Sequence, residues 1–152
     1  MTLLKTVDVA VPVSTAYNQW TQLEEFPRFM DGVESVQQID DTRSRWKTNV
    51  MGAEREFETR ITEQIPDERI AWTTTNGETE QAGVVTFHRL DEAQTRLTLQ
   101  MDIEGGMLEK LGLATGVIGR QIDGDLGRFK EFIEQRGAET GGWRGEVERP
   151  KP

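Results

Sequence analysis

The reactive side chains of this sequence are few, and their spacing limits the chemistry they can share. There is no cysteine, which excludes a thiolate nucleophile, a disulfide framework, a zinc finger and an iron–sulfur site. A single histidine, His88, excludes His-rich metal sites and rules out Ser-His-Asp chemistry anywhere else in the chain. It alternates with apolar Phe87 and stands beside Arg89 near a strand end, the setting of a solvated strand histidine rather than a catalytic base. Asp123 and Asp125 lie two apart in a helical pattern, so they point in different directions and form no carboxylate dyad. Glu54, Glu56 and Glu58 alternate onto one strand face, most simply the wet one. Gly116-Val117-Ile118-Gly119 is internal to a helix and follows no suitable strand, so it is not a dinucleotide fingerprint, and no Walker loop is present. On these grounds no catalytic residue, no metal site and no cofactor is expected.

The glycines carry more information. Gly112, Gly116, Gly119, Gly124 and Gly127 all lie in a segment whose apolar residues recur at helical spacing. Each costs roughly 0.5–1 kcal/mol relative to alanine in a helix interior, about 3–5 kcal/mol in all. At ~100° per residue, four of them (Gly112, Gly116, Gly119 and Gly127) share an arc of roughly 80°. That arc adjoins the stripe of Leu111, Ile118, Ile122 and Leu126. Three readings stay open: close packing of the helix backbone on a sheet, volume left for a ligand, or a helix–helix contact of the small-residue type. The last belongs to apolar membrane helices, whereas this segment carries Glu109, Lys110, Arg120 and Asp123.

The elements that must position these residues follow from periodicity. Residues 3–11 alternate, with Leu3, Lys5, Val7, Val9 and Val11 on one face of a strand that Pro12 stops. Ser14 or Thr15 can cap a helix over Ala16, Tyr17, Trp20 and Leu23. A second short helical piece, Glu24-Glu25-Phe26, runs into Pro27, and Asp31-Gly32 turns the chain out of it. From Val33 to Ile103 the period is two, with turn chemistry at Asp40-Asp41, Gly52, Pro66-Asp67-Glu68, Asn76-Gly77 and Asp91-Glu92-Ala93-Gln94. Six strands in an antiparallel meander are predicted there. One long amphipathic helix follows over residues 107–133, with Gly137 as its C-cap. The fold class is therefore α+β: a curved antiparallel sheet of about seven strands, two short helices and one long C-terminal helix. Residues 1–136 form a single domain, and 137–152, rich in Gly, Glu, Arg and Pro, read as a disordered tail in which Trp143 is either a docking anchor or an idle aromatic.

Composition narrows the partners. The chain has 152 residues with 18 basic and 27 acidic side chains, a net charge of −9. The stretch 24–104 carries the whole acidic excess and repels phosphate backbones, so no nucleic acid is expected as a partner. No apolar run approaches the ~20 residues that span a bilayer, and the start lacks a basic region followed by an apolar stretch. Stable membrane insertion is not expected, the expected location is cytoplasmic, and the oligomeric state is left open.

Several stretches carry a resemblance. They are Val11-Pro12-Val13-Ser14-Thr15-Ala16-Tyr17 with Trp20, Leu23 to Met30 before Val33, and Ile61 to Trp72. Gly83 to Phe87, Thr95 to Leu99 and the closing Leu126 to Glu134 complete the set. Together, from about Thr2 to Arg136, they resemble the SRPBCC superfamily (START/birch-pollen-allergen-like), particularly its polyketide cyclase/dehydrase and coenzyme-Q-binding branch. The resemblance implies a helix-grip fold, in which the long helix lies across the curved sheet and encloses a cavity. It also implies a small hydrophobic ligand, since relatives bind lipids, quinones, polyketides or plant hormones, and some cyclise or dehydrate polyketides.

The expected function is binding of a small, largely hydrophobic molecule (lipid, quinone or polyketide-like) between the sheet and the C-terminal helix. The expected lining on the strands is Trp46, Thr48, Phe57, Thr59, Trp72, Thr74, Leu99 and Met101. Trp46, Trp72, Thr59 and Thr74 are the polar groups expected to orient the ligand, since a buried indole N–H needs a partner. On the helix the lining is Thr115, Gly116, Ile118 and Ile122, with a mouth near Phe26, Phe29, Met30, Met107 and Leu111. The alternatives are a polyketide aromatase/cyclase or dehydratase, which needs a buried acid–base group, and a ligand-independent protein-interaction module.

Overall fold

Strand β1 (Thr2–Val9) alternates as its sequence requires: Thr2, Leu4, Thr6 and Asp8 are exposed, while Leu3, Lys5, Val7 and Val9 turn inward. The computed structural model of the chain describes residues 2–50, 52–77, 81–103 and 115–147. Helix α1 (Val13–Trp20) follows, with Pro12 at the N-cap and no side-chain cap. Ser14 and Thr15, expected as caps, instead lie inside its first turn, because the Pro12 carbonyl already accepts the Ala16 N–H at 3.1 Å. A short 3-10 helix (Leu23–Arg28) carries Phe26 and leads into the meander.

The meander comprises β2 (Val33–Gln38), β3 (Arg43–Val50), β4 (Ala53–Ile65), β5 (Arg69–Gly77), β6 (Gln81–Asp91) and β7 (Gln94–Ile103). The sheet order is β1-β7-β6-β5-β4-β3-β2, every pair antiparallel, so β1 and β2 are its two free edges. The register slips between Val33 and Ser35, at two places in β4 and near the end of β6. Each slip adds a residue on one strand and bends it, which curls the sheet. At the first slip in β4, Gly77 has φ +121°, and a Cβ there would lie 2.5 Å from the Phe57 Cα. Asn76-Gly77 therefore ends a strand as a glycine-only close approach rather than forming a two-residue hairpin turn.

Helix α2 (Thr115–Arg136) is the long C-terminal helix. The expected start near residue 107 lies outside the described residues. Gly137, at φ +70°, ends the helix in the left-handed conformation and donates its N–H to the Ile133 carbonyl at 3.0 Å, as a C-cap glycine does. Leu126, Phe129 and Ile133 are buried on one stripe of α2 and pack with Trp20, Phe26, Phe29, Phe87 and Leu97 in the core. Aromatic edges hold this core: Trp20 meets Phe26 and Phe129 at 5.2 Å each, and Phe29 meets Phe129 at 5.2 Å.

The segment after Gly137, expected as a disordered tail, is held against the body as far as Val147. Fully buried Gln19 gives its amide N–H to Thr140 Oγ1 at 3.0 Å and accepts the Thr140 N–H at 2.8 Å. Gln64 and Val147 exchange backbone hydrogen bonds of 2.9 Å. Arg144 reaches Asn18 Oδ1 and Asp67 Oδ2, each at 2.8 Å, and lies over the Tyr17 ring. Trp143 docks by its backbone, its N–H bound to Thr21 Oγ1 at 3.0 Å, while its ring folds back over Gly145. The polar composition of this segment serves to satisfy buried polar groups on α1 and β4, a pairing that leaves no periodic signal.

Candidate functional site

Helix α2 is gripped from two sides. On the β1 side, Lys5 Nζ meets Asp123 Oδ2 at 3.0 Å, Lys130 Nζ donates to the Asp8 carbonyl at 3.0 Å, and Glu134 accepts the Ala10 N–H at 2.7 Å. The numbers rise together along helix and strand. From 123 to 134 at 1.5 Å per residue is about 16 Å, and from 5 to 10 at 3.3 Å is about 16 Å, so α2 runs parallel to β1. On the other side, Arg128 bonds the Phe29 carbonyl at 3.1 Å, meets Asp31 at 3.3 Å and contacts Asp125 closely. Asp125 also accepts the Asp31 N–H at 3.1 Å. The loop after the 3-10 helix leads directly into β2, so one helix is tied to both free edges of the sheet.

Register then defines the inner face. The row Val7–Leu97–Phe87 is followed by Lys5–Leu99–Val85–Ile70–Gln64 and by Leu3–Met101–Gly83–Trp72–Ile61. Leu97, Phe87, Leu99, Val85 and Ile70 are buried. Met101, Trp72 and Ile61, one row further, are only half-buried. Helix α2 shows the same gradient: Ile133, Phe129 and Leu126 are buried, whereas Ile122 is half-buried. Among the described residues, sheet and helix are thus sealed together at the α1 end and less fully buried at the other.

The expected lining residues divide along this gradient. Trp46, Thr48, Trp72, Thr74, Met101, Ile122 and Met30 are half-buried, while Phe57, Thr59 and Leu99 are buried floor. Phe26 and Phe29, expected at the mouth, are instead 3% and 1% exposed in the aromatic core. The 3-10 helix turns both rings inward against Trp20 and Phe129. Met107 and Leu111 lie outside the described residues. Thr115, Gly116 and Ile118 stand at the start of α2, and their surroundings also lie outside the described residues.

The four orienting groups differ in what they have left to offer. Trp46 Nε1 donates to Thr59 Oγ1 at 2.9 Å, which satisfies the indole and leaves Thr59 its hydroxyl proton. Trp46 also stacks on Phe57 at 6.2 Å and meets Phe26 edge-on at 5.6 Å. Thr74 Oγ1 both donates to the Gln81 carbonyl at 3.2 Å and accepts the Gln81 N–H at 3.0 Å, so it serves the sheet. Trp72 lies flat over Gly83, where a Cβ would come 2.5 Å from its Cζ2. Its indole N–H has no acceptor among the described residues.

Two inward-facing cations, Lys5 and Arg55, are absent from the expected lining. Lys5 was legible in the alternation of β1. Arg55 pairs with Thr48 and shares the face of Phe57 and Thr59, opposite to that of Glu54, Glu56 and Glu58. The helical glycines at 119 and 127 are not tight contacts: a Cβ at Gly119 would meet only the Lys5 tip at 3.6 Å, and one at Gly127 nothing within 4 Å. At these two positions close packing does not require glycine.

Several titratable groups among the described residues point away from this face or lie at its sealed end. His88 is exposed. Glu58 pairs outward with Arg45 at 3.1 Å and Glu56 with Lys47 at 3.5 Å. Burial pushes the Asp125 carboxyl above its ordinary range against the pull of Arg128, and burial likewise raises the Tyr17 phenol. Tyr17 is fully buried at the sealed end, and its hydroxyl lies beside Gln64 without reaching hydrogen-bond geometry. Among the described residues no group of three metal-ligating side chains converges, and no helix is long and apolar enough to cross a membrane.

Comparison with known proteins agrees with this architecture. Residues 9–131 match the family described as polyketide cyclase / dehydrase and lipid transport. An uncharacterized 17.2 kDa protein from the melC2-rnhH intergenic region of Streptomyces lincolnensis is 60% identical over 144 residues, 94% of this chain and 96% of that protein. A START superfamily protein from Mycobacterium smegmatis superposes with a TM-score of 0.75 at 18% identity, over 89% of this chain and 98% of its own. The Zhui aromatase/cyclase from Streptomyces sp. R1128 does so with 0.76 at 19% identity, over 94% and 99%. At such identities the two structures establish the helix-grip fold and nothing finer.

Proposed function

We propose that this chain, which belongs to the polyketide cyclase/dehydrase and lipid transport family, binds a small, largely hydrophobic molecule between the open rows of its sheet and α2. The observation that carries this reading is the exposure gradient on the inner face. Ile61, Trp72 and Met101 are half-buried one row beyond a sealed core, opposite half-buried Ile122. Large apolar side chains left partly uncovered on a concave face gain free energy when an apolar ligand covers them, about 25 cal/mol per Å² removed from water. The Trp72 N–H and the Thr59 hydroxyl supply the few placed polar groups such a site needs. Thr48, Trp46 and Met30 extend the lining, and Phe57 and Leu99 form its floor.

The test is a fluorescence titration with the neutral probe N-phenyl-1-naphthylamine. Saturable uptake by the wild type, lost in Ile122→Asp and Met101→Asp but kept in Leu4→Asp on the outer face, is expected. Uptake insensitive to the two inner substitutions would refute the reading.

A second reading, catalysis of the aromatase/cyclase kind, draws support from the inward cations Lys5 and Arg55. A cation beside a polyketide can stabilise the enolate that cyclisation requires. It predicts turnover of a poly-β-keto thioester with a bell-shaped pH–rate profile.

A further inference from the structure

The cations of the inner face have a consequence for ligand chemistry. Resting on the binding site proposed above, we propose that Lys5 anchors a carboxylate at one end of the bound molecule, so that the site takes amphipathic acids.

Lys5 points inward from β1, paired with Leu99 and one pair away from Met101 on the half-buried row. Its side chain is 27% exposed, yet of its three N–H donors only one has a partner, Asp123. That partner is 58% exposed, so its charge stays solvated and the pair between them is weak. Two donors of a partly covered ammonium are left without acceptors among the described residues, and a second carboxylate can take them by charge-assisted hydrogen bonds.

Space for that carboxylate adjoins the ammonium. Gly119 of α2 is buried beside Lys5, and a Cβ there would stand 3.6 Å from Nζ and 3.8 Å from Cε, an ordinary contact. Any larger side chain would occupy the volume next to the ammonium. Glycine at 119 therefore keeps a cation accessible from the inner face. With a net charge of −9, the exterior as a whole offers an anion little attraction, whereas Lys5 on the inner face offers it a cation. Trp72 supplies a second donor on the same face, three strand spacings or about 14 Å away along the curved sheet. An elongated acid with its charged end at Lys5 lays its apolar chain across Met101 and Gly83 toward that indole.

Isothermal titration calorimetry with dodecanoate and with dodecan-1-ol, two molecules of one chain length and different head, reads the inference directly. The wild type is expected to bind the acid about tenfold more tightly than the alcohol. Lys5→Gln is expected to remove that preference by weakening the acid about tenfold. Asp123→Asn frees the ammonium from its competing partner and is expected to hold or raise the acid's affinity, whereas a merely structural ion pair would make this variant lose both ligands. Equal binding of acid and alcohol by the wild type would overturn the inference alone, whether or not Lys5→Gln folds. Failure to bind either would overturn it together with the hydrophobic-ligand reading.

Discussion

Alanine at Gly83 would place a methyl carbon 2.5 Å from Cζ2 of Trp72 and 2.9 Å from Cε2 and Cη2. The contact is with the body of a rigid ring, not the end of a flexible chain. To reach an ordinary 3.4 Å contact the indole must move about 0.9 Å, away from the sheet and toward α2. Overpacking of this kind costs about 1–3 kcal/mol, and the lost strand entropy of glycine returns roughly 0.5–1 kcal/mol. A net loss of about 1–2 kcal/mol follows, which for a chain of this length lowers Tm by about 2–4 °C per kcal/mol. Because the displaced ring moves into the proposed site, probe uptake should fall along with stability. Urea denaturation followed by tryptophan fluorescence, with the probe titration on the folded protein, measures both. The double variant Gly83→Ala/Trp72→Leu removes the clash, so its loss should be smaller than the two single losses added together. If Gly83→Ala matches the wild type in stability, emission and uptake, Trp72 does not rest on Gly83 and the geometry argued for the inner face is wrong.

Other consequences are equally measurable. Tyr17 is the only tyrosine and is fully buried, and burial raises its phenol above the ordinary 10.0, so absorbance at 295 nm should show less tyrosinate in the folded protein than in the unfolded chain at the same alkaline pH. Since the folded state then holds a proton that the unfolded chain releases, stability should decline as pH rises past 10; a normal tyrosinate titration in the folded protein would contradict this. Deleting residues 138–152 strips Gln19 of both its partners and uncovers Gln64, and should cost about 2–4 kcal/mol by urea denaturation, where a free tail would cost nothing. Phe129→Ala removes a ring at the centre of the aromatic core and should cost about 3–5 kcal/mol, enough to leave the protein marginal at 37 °C; a loss under 1 kcal/mol would show that the core is not where the rings place it.

Much of the fold was legible because its signal is periodic. The alternation of Leu3, Lys5, Val7 and Val9 gave a strand and its inner face together, and the switch from period two to helical steps after Ile103 separated sheet from helix. Gly137 was readable as a cap because a helix end has a local chemistry of its own. What stayed hidden depends on contacts between distant residues. Nothing local says that Gln19 and Gln64 are buried, so nothing says that Thr140 and Val147 must come to satisfy them. Phe26 and Phe29 were misplaced to the mouth because a 3-10 turn at Pro27 has no apolar period to show which way its rings face. The bulges in β4 that curl the sheet have no sequence signature beyond Gly77, which a hairpin turn explains equally well.

The residue types of the inner face were legible; the state of each polar group was not. A lining of Trp, Thr, Met and Ile was expected, and the inner face carries those residues. Which hydroxyls are already engaged, Thr74 by Gln81 and Thr59 by Trp46, is a matter of register that only the paired strands reveal.

The central claim is that a hydrophobic molecule occupies the half-buried rows of the inner face. Intermolecular NOEs from bound N-phenyl-1-naphthylamine to methyl groups assign its position without recourse to mutation. Contacts to the methyls of Ile61, Met101 and Ile122, with none to sealed Ile133, are the predicted pattern. Contacts only to the exposed methyls of Leu4, Ile39 or Leu90 would place the probe on the outside of the protein and contradict the account.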